Sequence, residues 1–451
     1  MILLTSQLRA AVPGENMCYA IPGQLIEIRK NGGGVVDYFG EKRNILLDLS
    51  DAAVGDYVYA QGGILVRKIP TAEALEILSL WKDKFFELKK MDARLSHFSE
   101  SDLPANTLQI LQKVNLKKPL SRQDMQALLK LEDPRELNIL YELANHIRHR
   151  EHDNASCIHG IIEFSNYCCE NCYYCGIRSD RVITRYRMSV DEIIAVAQHA
   201  VDEYGFKALV LQSGEDLWYD KNRLVKIVRA LRQMGILVFL SIGMRDKQLY
   251  QTLYQAGARA ALLRFETSNE NIFKRLRPAT SLNERIELIQ QLKSMGYIIA
   301  TGFIAGLPDE TPEDIVNNIL LTKSLDPDMY SLGPFIPTLD TPLAAHSKLS
   351  MDAVLKIIAL TRFVDPNSNI LVTTALETLD ASAKKAALLA GANSMMINVT
   401  PMQYRALYQI YDNRADRNQM VKVGIQSALN LLYSLGRAPT DIGTLKGEIY
   451  A

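Results

Sequence analysis

The stretch Ile161-Ile162-Glu163-Phe164-Ser165-Asn166-Tyr167-Cys168-Cys169-Glu170-Asn171-Cys172-Tyr173-Tyr174-Cys175-Gly176 runs from a short apolar strand straight into a loop rich in cysteine. From there to Tyr411 one pattern repeats: a short apolar strand, then polar or glycine-bearing residues, then an amphipathic helix. The strands read at 161–164, 208–212, 238–242, 260–265, 298–303, 329–332, 370–374 and 394–399. Eight such units are the number of a closed (β/α)8 barrel. The competing architecture is an open doubly wound sheet, but its G-x-G-x-x-G signature after a first strand is missing. The fold class is therefore read as α/β, a (β/α)8 TIM barrel, with a small all-β barrel in front of it.

Cys168, Cys172 and Cys175 are spaced C-x3-C-x2-C. Three thiolates at that spacing can hold three irons of a cubane 4Fe-4S cluster and leave the fourth open, as an open position marks a catalytic metal. A zinc knuckle would want a fourth Cys or His nearby. Cys169 inside the loop and Cys157 and His159 upstream do not complete such a spacing, and Cys157 and Cys169 are read as bystanders.

Lysine plus arginine and aspartate plus glutamate both number 51, so the net charge is zero and no nucleic-acid partner is indicated. No apolar run reaches the ~20 residues of a membrane span. Six cysteines, most of them clustered, fit a reducing cytoplasm and a metal site rather than a disulfide framework.

Residues 17–70 alternate short apolar runs with turn residues such as Gly32-Gly33-Gly34, Gly55-Asp56 and Gly62-Gly63, the pattern of a small β-barrel. Residues 71–120 read as a helical linker, and 121–451 as the large barrel with a C-terminal helical segment. Residues 1–16 read as an extension upstream of a true start at Met17.

Barrel enzymes work at the C-terminal ends of their strands. The polar groups there are the cysteine loop, Ser213-Gly214-Glu215-Asp216, Ser241, Arg264 and Glu266, Thr301 and Gly302, Pro334, Thr373-Thr374, and Asn398 with Thr400. Capping accounts equally well for Ser241 and Thr400. Glu215, Arg264 and Glu266 are charges at a barrel mouth, and their desolvation calls for a function.

The cysteine loop, with Tyr174 before its last thiol, resembles that of the radical S-adenosylmethionine (SAM) superfamily. The likeness narrows to the HydE family of FeFe-hydrogenase maturases over residues 121–411. It is carried by Ser165-Asn166-Tyr167-Cys168, Tyr174-Cys175-Gly176-Ile177-Arg178, Arg185-Tyr186-Arg187-Met188, Leu211-Gln212-Ser213-Gly214-Glu215-Asp216, Leu276-Arg277-Pro278, Gly306-Leu307-Pro308 and Gly333-Pro334-Phe335-Ile336-Pro337. The resemblance implies one 4Fe-4S cluster on Cys168, Cys172 and Cys175. It implies SAM contacts at Ser213, Gly214, Glu215, Glu266 and Arg285, and adenine neighbours at Tyr174 and from Ile304 to Gly306. It implies a substrate cavity at Arg264, Thr373 and Thr374, where a carboxylate of a cysteine-derived ligand would sit. A surface salt bridge is the plain alternative for Arg285. Two departures stand out: no cysteine follows Cys175, so the family's frequent second cluster is expected to be absent, and Phe265 replaces a common histidine.

Met17-Cys18-Tyr19-Ala20-Ile21-Pro22-Gly23, with Val54-Gly55-Asp56-Tyr57-Val58 and Gly62-Gly63-Ile64-Leu65, resembles the HypC family of NiFe-hydrogenase chaperones. That likeness implies that Cys18 is a thiolate ligand for an iron carrying diatomic ligands.

Together these resemblances imply a radical SAM enzyme of H-cluster maturation. It would use a 5′-deoxyadenosyl radical on a cysteine-ligated iron carbonyl/cyanide precursor of the diiron subcluster. Implied partners are a tyrosine-cleaving radical SAM maturase, a GTPase scaffold, and a ferredoxin or flavodoxin as electron donor. The alternatives are a methylornithine synthase-like lysine mutase of pyrrolysine biosynthesis and a non-catalytic carrier of an iron complex.

Overall fold

The computed structural model describes residues 18–49, 51–98 and 104–442. The proposed extension and Met17 lie outside that range. Five strands come first: β1 (Gly23–Ile28), β2 (Gly33–Tyr38), β3 (Glu41–Leu46), β4 (Tyr57–Gln61) and β5 (Ile64–Ile69). They close in the order β1-β2-β3-β5-β4. The helix Thr71–Leu95 follows, and its Trp81, Phe85 and Leu88 enter the small barrel's core. Burying side chains of this size contributes roughly 1.5–3 kcal/mol each.

Helices Ala105–Asn115, Arg122–Leu129 and Pro134–His152 lead to the large barrel. Its strands are β6 (Ala155–Ser165), β7 (Ala208–Ser213), β8 (Leu237–Ser241), β9 (Ala258–Leu262), β10 (Ile298–Thr301), β12 (Met329–Tyr330), β14 (Asn369–Val372) and β15 (Ser394–Asn398). All pair in parallel, and β15 returns to β6 to close the ring. The eight expected strands are all present, although β6 begins six residues earlier than the apolar run at 161 suggested, and β9 runs from 258 to 262 rather than from 260 to 265. The short β11 (Ile304–Ala305) and β13 (Gly333–Pro334) pair above the ring, and β16 (Ala438–Pro439) joins the start of β6. Capping boxes at Ser189/Glu192, Ser281/Glu284 and Thr311/Asp314 start three of the surrounding helices.

The small barrel covers the N-terminal base of the large one. A single apolar core joins Leu25, Val36 and Val58 to Val210, Phe239 and Ala300. The turn between β4 and β5 touches the base. Gly62 there has φ +54, and a Cβ on it would lie 2.8 Å from Ile298 Cδ1, so the turn needs glycine for both conformation and space. Ion pairs Arg43–Asp153 (2.7 Å) and Arg259–Asp48 (2.5 Å) flank the contact. With the base covered, chemistry is left to the opposite end, where the strand C-termini open. No helix among the described residues is long and apolar enough to cross a membrane.

Candidate active site

A cavity of about 300 Å³ opens at the C-terminal ends of the strands and reaches into the lumen. Cys168, Cys172 and Cys175 all line it, whereas Cys169 is exposed. The loop carrying them is stitched to the barrel by the flanking motifs. Arg185 donates to the carbonyl oxygens of Asn166, Ile177, Arg178 and Arg181. Asn166 donates to Thr184 O and Leu407 O and accepts from Tyr186 N. Gly176 N donates to Ile410 O. Burial pushes all three thiols up, Cys172 to about 11. A coordinated metal would displace those protons.

Ser213, Gly214 and Glu215 follow β7 against this loop. Glu215 N points at Cys168 Sγ from 3.3 Å, and Cys169 N donates to Glu215 O. Gly214 is obligatory, since a Cβ would stand 2.2 Å from Tyr167 O and 2.9 Å from Cys168 Cβ. Ser213 Oγ is turned to the neighbouring Gly214 O. Asp216 is an anchor: it takes Ser165 Oγ at 2.7 Å, Arg187 Nε at 2.7 Å and Trp218 N at 3.1 Å.

Around the thiols six charges alternate. Arg277 Nη2 lies 3.2 Å from both Glu215 Oε1 and Glu170 Oε2. Arg285 lies 3.7 Å from Glu266 and 4.0 Å from Glu215, and Arg264 Nε lies 3.3 Å from Glu266 Oε2. Arg285, on the helix Leu282–Ser294, is buried rather than at the surface, and its Nε donates to Arg264 O. Burial raises the Glu215 carboxyl against the pull of Arg277 and Arg285. Glu266 holds φ +72, a left-handed backbone that costs a non-glycine residue ~1–2 kcal/mol. It is fixed there because its own N and that of Phe265 both donate to Gly302 O while Ile304 N donates to its O.

Tyr174 and Ile304 lie at one side of the cavity, packed with Ile272, Leu276, Leu307 and Phe335 into an apolar shelf. Gly306 stands just beyond this shelf with φ +83, and its amide donates to Glu310 Oε2. Arg264, Thr373 and Thr374 also line the cavity. Thr373 is the N-cap residue of the helix Thr374–Leu379, but its Oγ1 makes no hydrogen bond. Cys18 is not at this site. It lies buried at the base of the barrel, beside Tyr38 and Gly63.

Sequence reasoning passed over several charged residues of the cavity, Glu170 and the four that follow among them. Arg277 sits inside the quoted Leu-Arg-Pro motif without a role. Glu163 is fully buried 2.7 Å from Arg414, with Asn398 donating to its Oε2. A carboxylate between Ile162 and Phe164 was a readable sign. Arg414 and Asp416, paired at 3.0 Å, come from a loop with no such sign.

Comparison with known proteins gives the chain's family. Residues 162–321 match the Radical SAM superfamily model, 17–81 the HupF/HypC family, and 331–427 the Biotin and Thiamin Synthesis associated domain. The chain is 39% identical to the FeFe hydrogenase maturase subunit HydE of Thermotoga maritima, over 73% of this chain and 95% of that protein. It belongs to the HydE family of radical SAM enzymes. Among relatives of this HydE-family chain, 3-methylornithine synthase of Methanosarcina acetivorans is 30% identical over 71% of this chain and 90% of its own. The crystal structure of methylornithine synthase superposes with a TM-score of 0.66 at 27% identity, covering 73% of this chain and 97% of that one. HydG, a maturase of the FeFe hydrogenase, shares the fold at a TM-score of 0.61 and 18% identity, over 81% of this chain and 78% of its own.

Radical SAM membership implies a 4Fe-4S cluster and SAM, and the site's own chemistry fits them. Three thiols without disulfide partners face one cavity. Beside them Arg285 Nη1 and Glu266 Oε2 are buried without a hydrogen bond. A ligand carrying both a carboxylate and an ammonium group would satisfy both atoms.

Proposed function

We propose that this protein is a radical SAM maturase that acts in building the diiron subcluster of FeFe-hydrogenase. Cys168, Cys172 and Cys175 would hold a single 4Fe-4S cluster by three thiolates. Cys169 supports that count, because it is exposed and is not among the residues lining the cavity. Bound there, the cluster and SAM supply a one-electron cleavage that yields a 5′-deoxyadenosyl radical.

The chain's own residues orient and shield. Glu215 and Glu266 would take the SAM ammonium and Arg285 its carboxylate, with Arg277 holding Glu215 in place. Ser213 and Gly214 would bring the backbone close enough for contact, and Tyr174, Ile304 and Gly306 would flank the adenine. Arg264, Thr373 and Thr374 would receive the carboxylate of a cysteine-ligated iron carbonyl/cyanide complex. Water is kept out by the apolar shelf and by the covered base, which suits chemistry that attacks any nearby C–H bond. Cys18 would hold iron cargo. A tyrosine-cleaving radical SAM maturase, a GTPase scaffold and a ferredoxin or flavodoxin are the proposed partners.

The observation that carries this reading is the meeting of three thiols with the Arg285–Glu266–Glu215 group at one end of a covered barrel, in a chain 39% identical to HydE. Anaerobic reconstitution with iron and sulfide, followed by EPR with and without SAM, tests the site; the spectrum should change on SAM addition, and an unchanged one refutes it. In vitro maturation of apo-hydrogenase tests the role. Rearrangement of lysine with no maturation would favour the methylornithine synthase reading, which 30% identity to that enzyme keeps in play. Maturation that survives Cys168→Ala while 5′-deoxyadenosine formation is lost would favour a carrier.

A further inference from the structure

One patch of surface beside the three-thiol cavity has the make-up of a protein contact. Leu217 and Trp218 are 65% and 39% exposed. They lie between β7 and the helix Lys221–Gln233, just after Glu215, whose amide stands 3.3 Å from Cys168 Sγ. Two guanidinium groups lie over the Trp218 indole, Arg223 at 4.2 Å and Arg187 at 5.7 Å from the ring centroid. Arg187 also stands 3.6 Å from the centroid of the Tyr167 ring, and Tyr167 is bonded to Cys168. A run of neighbours therefore leads from an exposed indole through Arg187 and Tyr167 to a thiol of the cavity.

The patch is also cationic. Arg245 donates to Asp216 O at 3.3 Å and to Tyr219 O at 3.0 Å, which holds the segment after β8 against the one that carries Trp218. Lys221 and Lys247 are exposed at the starts of the two following helices, and Arg187, Arg223 and Arg245 are partly exposed. The exposed acids among them are Asp220 and Asp246. Both serve as helix N-caps, and Asp220 is also paired with Arg223 at 2.7 Å. Asp216, the partner of Arg187, is buried, and Glu170 is turned to Arg277. Positive charge is left in excess around the apolar pair. A lone exposed leucine needs no explanation, but an exposed leucine and tryptophan rimmed by arginines have the composition of an interface.

We propose that Leu217, Trp218, Arg187, Arg223, Arg245 and Lys221 form the docking surface for an acidic flavodoxin, which delivers its electron on the Cys168 side of the cavity. This rests on the radical SAM reading above, in which each SAM cleaved consumes one electron from a separate reductant. The reduced flavin loses one electron, the cluster gains it, and no bond is made or broken in the transfer. An exposed indole suits the flat apolar edge of a flavin, and the surrounding cations suit an acidic rim. Encounters of this kind are small and weak, so steering by charge matters more than buried area.

The test measures binding and electron delivery separately, on full-length reconstituted protein with Leu217→Asp, Trp218→Ala and Lys221→Glu. All three side chains are exposed, so the fold is spared. Isothermal titration with oxidised flavodoxin should show affinity falling by roughly tenfold or more in Leu217→Asp and Trp218→Ala. Lys221→Glu should flatten the salt dependence of binding. At limiting flavodoxin, 5′-deoxyadenosine formation driven by the reduced carrier should fall in step. Formation driven by dithionite, which needs no docking, should match wild type in every variant. Wild-type affinity and wild-type flavodoxin-driven rates in Leu217→Asp and Trp218→Ala overturn the proposal, as does a ferredoxin that responds to these variants where flavodoxin does not. Failure of the wild type to form 5′-deoxyadenosine even with dithionite overturns instead the radical SAM reading on which the proposal rests.

Discussion

Asp92→Asn should destabilise the whole molecule while touching nothing in the catalytic cavity. Asp92 lies near the end of the helix that leaves the small barrel, and it is fully buried. Its two oxygens take Arg148 Nη1 at 2.8 Å and Nη2 at 2.7 Å and His149 Nδ1 at 2.7 Å, and Arg437 Nε stands 3.1 Å away as an ion pair. Arg148 comes from the helix before β6 and Arg437 from the segment before β16, so one carboxylate joins three parts of the chain. An asparagine keeps the shape and some hydrogen bonds. It leaves two guanidinium groups, each about 1% exposed or less, without their counter-charge. Breaking a buried pair in this way costs about 3–5 kcal/mol. With unfolding entropy near 2 cal/mol/K per residue, that is a fall in Tm of about 3–6 °C if the chain melts as one unit, and more if the small barrel and its helix melt first.

The pH dependence adds a second check on Asp92. Burial alone would raise its carboxyl, but Arg148, His149 and Arg437 outweigh burial and hold it well below the ordinary value of 3.8. A depressed carboxylate contributes stability above its unfolded pKa and loses it as pH falls toward the folded one. The Tm gap between wild type and variant should therefore stay constant from pH 7 to 5 and shrink below about pH 4. Calorimetric scans across that range measure it. A variant melting within 1 °C of wild type at pH 7 would show that the two arginines are not held by this carboxylate, and the account of the junction would fail.

Other substitutions address the site and the interdomain contact. Gly214→Ala places a methyl 2.2 Å from Tyr167 O, so the cysteine loop must move, and cluster iron after reconstitution should fall severalfold while the far-ultraviolet spectrum stays unchanged. Arg277→Ala frees Glu215 and leaves Glu170 and Glu215 facing each other; SAM affinity by isothermal titration should drop at least tenfold, about 1.4 kcal/mol. Gly62→Val forces a branched side chain into a left-handed turn against Ile298 and should cost about 2 kcal/mol or more, read as a lower denaturation midpoint.

The sequence exposed most of the catalytic end, because chemistry there is written in short local motifs. The thiol spacing, Ser213-Gly214-Glu215 and Arg264 sit at strand ends, and the eight strands follow from apolar runs. What it hid was long-range. Asp216 looked like part of a binding motif, yet it bonds to Ser165 and Arg187. Arg414 reaches Glu163 across some 250 positions, and no local pattern marks such a partner. The largest gap was the start of β6. The apolar run from 161 drew attention away from Ala155–Gly160, so Cys157 and His159 read as lying upstream of the strand when they lie inside it.

Strand β6 shows why that gap mattered. Side chains alternate along a strand, so Cys157, His159, Ile161 and Glu163 share its inward face, while Ile158, Ile162 and Phe164 pack into the helical layer. Ile161 and Glu163 line the catalytic cavity, whereas Cys157 and Ile161 belong to the core shared with the small barrel. Ile161 belongs to both. On this strand one isoleucine therefore separates the cavity floor from His159, a distance of about 6–7 Å at the usual rise per residue. Ile161 shares this double membership with Leu371 on β14, and a close-packed interior transmits strain between base and cavity through such shared side chains rather than absorbing it. The fused domain is thus placed to influence the cavity without contributing a side chain to it.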